Sequence, residues 1–544
     1  MLLRSVRVEN FRAIKSAQLS LDPTTVLIGE NDCGRSSILE AIALALGWNA
    51  PEDKFLFQPF HVHREEHAEE HAPIRIELEF AESRSVEWEG EGFETLRERL
   101  PDLLTPQRRF WLEVTCGETA VHWSFRTHSG FTQPDDPALL AWLRWRVPVF
   151  RTAEGMLAGS LPATVRKPLP EGGIRDLADE VSALYRDVIA GTAPDLQSAV
   201  EAGAEAAKRL MLARGGVLTH PRAARGAVLE EITGKKSSRR VAQASGQFQA
   251  HGSAAQKIGI LLLVGALLRS GAAVVQHGMD PLVLIEDPEA HLHPMTLASI
   301  WSVMERLAGQ KIIATHSGTL LASARLSSLR RLTRQDGLVR EWLVPEGKLN
   351  AEELRRYAYH LRSRRAEANF ARCWLLVEGE TEYWLMSELA RVCGHELASE
   401  GVACVEFAQC GLGALVKVAR HLGIEWHLLA DGDHAGQDYA RSASRLAGPG
   451  GARDRITLLR EADIEACFWR YGFADVFRKA AYPSTAPHYA KIPARSVIQR
   501  AIQRNSKPFL AVLLLDAVID RGPASVPAPL KKAIETCIRL ARQA

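Results

Sequence analysis

The 544-residue chain has eight cysteines but no C-x-x-C pair among them. That spacing excludes a zinc ribbon or a thioredoxin-like redox motif. Several of the cysteines sit inside apolar runs, so they are expected as buried thiols in a reducing compartment. Long hydrophobic runs are missing too. The longest, residues 258–268, has eleven residues, where a membrane-spanning helix needs roughly twenty. The N-terminal MLLRSVRVEN alternates charged and apolar residues and lacks the apolar core of a signal peptide. These absences lead to the expectation of a cytoplasmic protein. Strong net charge is also lacking, at +2, but the balance is uneven. Residues 476–544 hold twelve of the 67 Lys/Arg and only three of the 65 Asp/Glu. A basic C-terminal region behind an otherwise acidic chain points to a phosphate-rich partner.

The remaining composition, 46% apolar and 24% charged, is that of an ordinary globular α/β chain, and its length allows two to four domains. Its most informative stretch is 373–433. CWLLVEGETE and WHLLADGDHAG are each an apolar run that stops abruptly at carboxylates: Glu378, Glu380 and Glu382 in the first, Asp431 and Asp433 in the second. Runs such as 374–377 and 426–430 are expected to be buried parallel strands with the acids at their C-terminal ends. Ligands bind at that end of an open α/β sheet. Carboxylates gathered there repel one another unless cations sit between them, and hard oxygen donors favour Mg2+ or Mn2+.

A second constellation opens the chain. Residues 2–9 and 16–21 alternate as a hairpin, and a short apolar strand at 25–28 then runs into GENDCGRSS and the helix-like SILEAIALAL. Strand, glycine-framed loop and helix form the context of a P-loop, here G-x-x-x-x-G-Arg-Ser. Gly29, Asn31, Gly34, Arg35, Ser36 and Ser37 are the expected nucleotide-binding residues, with Ser36 also a magnesium ligand. Arg35 stands where the motif has lysine. A planar guanidinium cannot place a compact ammonium between phosphates, so nucleotide binding is expected and fast hydrolysis is not. Further on, the apolar 281–285 ends in Glu286 and Asp287. This is the position of acids that hold magnesium (Glu286) and orient water (Asp287). KIIATHS then ends a strand at His316, placed to sense a γ-phosphate. In that order the elements fit an ABC-type ATPase head, which works as a dimer. Its partner-facing signature serine is best sought at Ser253. His61, His63, His67 and His71 crowd one polar run and are expected in a solvated loop. An alanine-rich helical insertion, about 155–245, is expected to serve dimerisation.

An ABC-type head containing EDPEAHLHP and followed by VEGETE and ADGD resembles the OLD family of ATP-dependent nucleases. Their second module is a Toprim (Rossmann-like) domain. The resemblance covers essentially the whole chain, and FARCWLLVEGETE, GIEWH and DGD-x-AG are most similar to its YbjD-like branch. It implies an ATPase head over 1–365, a Toprim nuclease over 370–475 and a basic helical region over 476–544. It also implies a two-metal DNA-cutting site in which Glu378, Glu382, Asp431 and Asp433 are ligands, with Asp463 and Glu465 of EADIEACF added to them. Lys507 would steady the transition state, and Glu380 is left out as a ligand because it lies outside the family pattern. Glu378, Asp431, Asp433 and Lys507 are thus the expected catalytic set, with Mg2+ or Mn2+ and ATP as cofactors and DNA and a second copy of the chain as partners. The expected activity is endonuclease or nickase in DNA repair or phage defence. The competing expectation is a non-catalytic, nucleotide-switched scaffold. A primase-like polymerase is disfavoured, since no second polymerase-like module is evident.

Overall fold

The computed structural model describes residues 1–46, 57, 59–63, 72–104, 108–117, 120–147, 149–153, 156–158, 280–290, 301, 304–305, 309–362, 365–448, 454–482 and 492–544. The chain divides into two compact units between Trp342 and Leu343. Ser253, His67, His71, the 258–268 run and all of the expected insertion except its first few residues lie outside the described residues. Among the described residues no helix is long and apolar enough to cross a membrane.

The first unit is built on one sheet. Its strands are β1 (Leu2–Phe11), β2 (Ile14–Ser20), β3 (Thr24–Gly29), β4 (Ile74–Ala81), β5 (Arg109–Cys116), β6 (Val121–Thr127), β7 (Thr132–Pro134) and β8 (Val149–Ala153). They continue with β9 (Met156–Ala158), β10 (Leu282–Glu286), β11 (Gln310–Ala314), β12 (Leu329–Gln335) and β13 (Leu338–Trp342). Their order is β7-β6-β5-β4-β1-β2-β13-β12-β3-β11-β10-β8-β9. One half is antiparallel. In it β1 and β4 alternate buried and exposed residues, because one face packs on the core and the other meets water. The other half, β12-β3-β11-β10-β8, is parallel, and β3, β10 and β11 are apolar along most of their length. Helix α1 (Arg35–Leu46) follows β3 and buries Ile38, Leu39 and Ile42 in the core shared with β1 and β4.

The second unit holds a four-stranded sheet of β14 (Cys373–Val377), β15 (Val402–Glu406), β16 (Glu425–Ala430) and β17 (Ile456–Leu458). All its pairings are parallel, in the order β15-β14-β16-β17. The chain leaves β14 for one neighbour and returns on its other side. The topological switch point therefore falls between β14 and β16, where a crevice opens beyond the strand ends. After a short helix at Ala351–Arg356, the helices from the sheet onward are α2 (Glu380–Val392), α3 (Leu412–His421), α4 (His434–Ala447), α5 (Ile464–Phe468), α6 (Ala474–Ala481), α7 (Ala494–Asn505), α8 (Lys507–Arg521) and α9 (Ala528–Gln543). Val497, Leu510, Leu514, Val518, Leu530 and Ile534 of the last three are buried in the same apolar core as Leu375 and Val377 of β14. The basic residues 476–544 are thus woven into the Toprim-side unit, their charges outside and their apolar stripes within. Residues 343–370 belong there too: Tyr357 donates to Asn369 at 2.7 Å, and the Trp374 indole to the Ala368 carbonyl at 2.7 Å.

Candidate functional site

The acids predicted at the switch point arrive from two neighbouring strands and a helix start. Glu378 follows the last residue of β14, and Asp431 follows the last residue of β16. Glu382 sits in the first turn of α2 and accepts the Gly379 N–H at 3.1 Å. Asp433 caps α4, accepting the Gly436 N–H at 2.7 Å, and Asp463 caps α5, accepting the Ala466 N–H at 2.7 Å. Capping satisfies an N–H that the helix leaves orphaned and fixes the carboxylate's orientation while its second oxygen remains available. Glu465, also on α5, is 3% exposed, and Lys507 at the start of α8 places Nζ 3.4 Å from its Oε1. Glu380, left out of the expected ligand set, lies apart from this cluster of caps. It is the exposed first residue of α2, because the helix begins directly after Gly379.

Two glycines bind these pieces tightly. Gly432 donates to the Glu461 carbonyl at 2.9 Å, and a Cβ there would lie 2.3 Å from that same oxygen. A Cβ on Gly436 would lie 1.9 Å from the Asp431 carbonyl oxygen. The loop carrying Asp431 and Asp433 and the segment leading to Asp463 are therefore in backbone contact.

The electrostatics show that these groups share one place. Burial, then Glu382, Glu378, Asp463 and Glu465, push the Asp431 carboxyl up to about 8. Burial, Asp433 and Glu382 raise Glu378, partly offset by Lys507. Burial also raises Glu465, which Lys507 pulls back. Burial works against the charge on Lys507, yet Glu465, Glu382 and Asp463 together raise its pKa. Buried as it is, the Glu465 Oε2 has no hydrogen-bond partner among the described residues. An orphaned carboxylate oxygen among mutually repelling anions is the donor set that suits a hard divalent cation. Among the described residues, no three His, Cys, Asp or Glu groups close on one point as a finished cage. The donors are right in kind for such a cation and lie within electrostatic reach of one another.

In the first unit, the Gly29–Ser36 loop and the start of α1 form one wall of an open cleft of about 1560 Å³. Asn31, Gly34, Arg35, Ser36, Ser37 and His316 all line it. Asn31 and Ser36 are exposed to it, whereas Ser37 is buried. Gly34 needs its positive φ of 100°, and a Cβ on Gly29 would meet the Leu332 carbonyl oxygen at 2.4 Å. Across the parallel strands Leu27 is level with Ala314, and Ala314 with Glu286, so the acids reach the same edge of the sheet as the loop. Glu286 is held by Arg151 of β8 at 2.9 Å. Asp287, with φ of 41°, comes within 3.7 Å of His316. Burial and then Arg35 lower the His316 pKa, against Asp287 and Glu289.

Sequence reasoning missed two residues here. Glu289 accepts from the Thr315 hydroxyl at 2.9 Å and from the His316 N–H, which ties the turn after β10 to the end of β11. The only signal was a third acid in EDPE. Arg151 sits beside Leu284 in register, a pairing no local motif announces. The histidine run also needs correction at its start. His61 is 4% exposed and stacks on Phe11 at 5.2 Å, because Phe11, Phe57 and Phe60 gather around it. His63 meets the Arg12 carbonyl at 2.7 Å and lines the same cleft as the glycine-framed loop.

Comparison with known proteins places this arrangement. The family described as "Protein of unknown function (DUF2813)" matches residues 1–368, and "Overcoming lysogenization defect protein-like, TOPRIM domain" matches residues 370–433. The chain is 32% identical to "Uncharacterized protein YbjD" of Escherichia coli K12, covering 100% of this chain and 99% of that one. The chain belongs to the OLD family. It is 28% identical to the "Old nuclease" of Escherichia phage P2 over 168 residues, 28% of each chain. Among solved structures, the C-terminal region of the Burkholderia pseudomallei OLD protein covers 31% of this chain and 98% of its own, at 18% identity and a TM-score of 0.27. The SMC head domain of Thermotoga maritima covers 63% of this chain and 100% of its own, at 14% identity and a TM-score of 0.27.

In this OLD-family chain the first unit is a large mixed sheet with a glycine-framed loop between β3 and α1, and the second carries the segment that matches the OLD-like Toprim model. The Toprim match spans Glu378, Glu382, Asp431 and Asp433. Asp463, Glu465 and Lys507 lie beyond the matched segment, and the fold brings them to the same place.

Proposed function

We propose that the chain is a divalent-metal-dependent DNA endonuclease, acting in DNA repair or phage defence, whose ABC-type head governs it by binding ATP as part of a homodimer. The observation that carries this reading is the gathering of Glu378, Glu382, Asp431, Asp433, Asp463 and Glu465 with one cation, Lys507, at the switch point of the Toprim sheet. Glu465 is buried, Glu378, Glu382, Asp431 and Asp463 are half-buried and Asp433 is exposed, and Glu382, Asp433 and Asp463 would complete the set from helix starts. Two Mg2+ or Mn2+ ions held there would supply an activated water and charge stabilisation at phosphorus.

The chain's own residues do the rest. The caps at Asp433 and Asp463 hold two carboxylates rigid, so little reorganisation is needed when substrate binds. Lys507 Nζ, half-exposed beside Glu465, can donate to a phosphate oxygen as negative charge develops on it. The basic exterior of α7 and α9 supplies a general attraction for the DNA backbone.

Purified protein should nick supercoiled plasmid with Mg2+ or Mn2+ present, and Asp431→Ala or Asp433→Ala should abolish nicking while nucleotide binding survives. Unchanged nicking in either variant refutes the site assignment. In the head, ATP acts by being bound. Steady-state turnover should fall below about 1 s⁻¹, the low end for ordinary enzymes. Faster turnover would contradict this gating role.

A further inference from the structure

The cation in the lysine position of the P-loop is committed elsewhere. Arg35 is 6% exposed. It donates to the Thr315 carbonyl at 2.7 Å, and its other terminal nitrogen lies 2.9 Å from His316 Nδ1. These contacts tie the first residue of α1 to the end of β11. Swinging this guanidinium onto a phosphate would break hydrogen bonds made by a buried side chain. Arg12, which also lines the cleft, is engaged as well, in a pair with Glu40.

Arg334 differs from them. It is exposed and stands near the end of β12, the direct parallel neighbour of β3. In that register Leu332 is level with Gly29, so the residues just beyond it reach the edge where the phosphate loop begins. Its side chain lines the same cleft as Asn31 and Ser36. One terminal nitrogen donates to the Ala13 carbonyl at 3.1 Å, which anchors the guanidinium at the cleft mouth. A guanidinium carries five N–H donors, so this anchor, its one hydrogen bond among the described residues, leaves most of the fork for an anion.

We infer that Arg334, and not Arg35, supplies the cation that grips the nucleotide's phosphates, while Arg35 is a positioning residue joining the phosphate loop to His316. This rests on the reading of the head as a nucleotide-binding unit. It explains how a P-loop can forgo its lysine without losing positive charge: the charge has moved to the next strand of the sheet.

The test is an equilibrium titration of the full-length protein with a fluorescent ATP analogue and Mg2+, alongside ADP and adenosine. Arg334→Gln should weaken ATP analogue binding by roughly ten- to a hundredfold, the loss expected for one charge-assisted contact. Adenosine binding should change less than threefold, and Arg334→Lys should recover part of the loss. Arg35→Lys should leave affinity within about threefold while shifting the melting temperature. Because Arg334 is exposed, its variants should fold, and a thermal melt checks this. Wild-type binding that Arg334→Gln leaves unchanged, or a tenfold gain from Arg35→Lys, overturns this assignment alone. Failure of the wild type to bind any nucleotide overturns the head's nucleotide reading, and this assignment falls with it.

Discussion

Asp431 concentrates the chemistry of the second unit in one side chain. It is mostly buried among four other carboxylates, and its carboxyl is pushed up to about 8. A bound divalent cation turns that repulsion into attraction, so binding to the folded state must stabilise it. Mg2+ or Mn2+ at millimolar concentration should raise the melting temperature of the wild type and leave that of Asp431→Ala unmoved. Equal shifts would place the cation elsewhere. Lys507 makes a second residue-scale prediction. Lys507→Ala should lower the nicking rate by roughly a hundredfold, as loss of a transition-state donor does, and Lys507→Arg should restore part of it. An effect confined to KM would make the lysine a mere DNA contact. At this scale legibility followed locality. Glu378 and Asp431 were evident because an apolar run stops at each. Asp463, Glu465 and Lys507 came only through family resemblance, since their convergence depends on helices that pack from distant sequence. Glu289 and Arg151 act through partners on other strands, and no spacing in the sequence reveals them.

Among the elements, β16 and the loop after it show how the scaffold presents these groups. His427, buried in β16, lies 2.9 Å from the Thr457 hydroxyl and 3.0 Å from the Asp454 carbonyl. Burial is the main cause that lowers its pKa to about 4. Above the unfolded value of about 6.5 both states are neutral and the site adds no pH dependence. As pH falls from there towards 4, the unfolded chain takes up a proton that the folded chain refuses. The unit should then lose up to about 3 kcal/mol. Melting curves between pH 7.5 and 4.5 should show this fall, and His427→Gln should flatten it. An equal slope in the variant would assign the acid lability to other groups. The Gly432 contact makes a matching prediction. Gly432→Ala must push the Glu461 carbonyl away and with it the segment leading to Asp463. Nicking should drop at least tenfold while α4 and α5 keep their helicity by circular dichroism, and retained activity would show the contact to be slack. The strands β1, β2, β3, β10, β14 and β16 were legible within a residue or two from apolar runs and alternation, whereas β12, β13, β15 and β17 were not. The fate of 476–544 was less so, because a strong charge excess masks the apolar stripes that bury α7, α8 and α9. His61 was misread for the same kind of reason: a polar neighbourhood in sequence hid an aromatic pocket in space.

For the whole molecule, each unit carries its own candidate site: a glycine-framed loop and cleft at the edge of the large sheet, and a carboxylate cluster at the switch point of the small one. Their order along the chain was legible because two unrelated motif sets occur in sequence. If ATP gates the nuclease by binding, a non-hydrolysable analogue should change the nicking rate in the same direction and to a similar extent as ATP. An effect seen with ATP alone would make hydrolysis the driver. The most direct test of the central claim is plasmid nicking with Mg2+ or Mn2+ by the full-length wild type beside Asp431→Ala, with nucleotide binding measured on both. The account predicts metal-dependent nicking by the wild type, none by the variant, and equal nucleotide binding. Nicking that survives in Asp431→Ala, or a wild type that cuts no DNA with either metal, would contradict it.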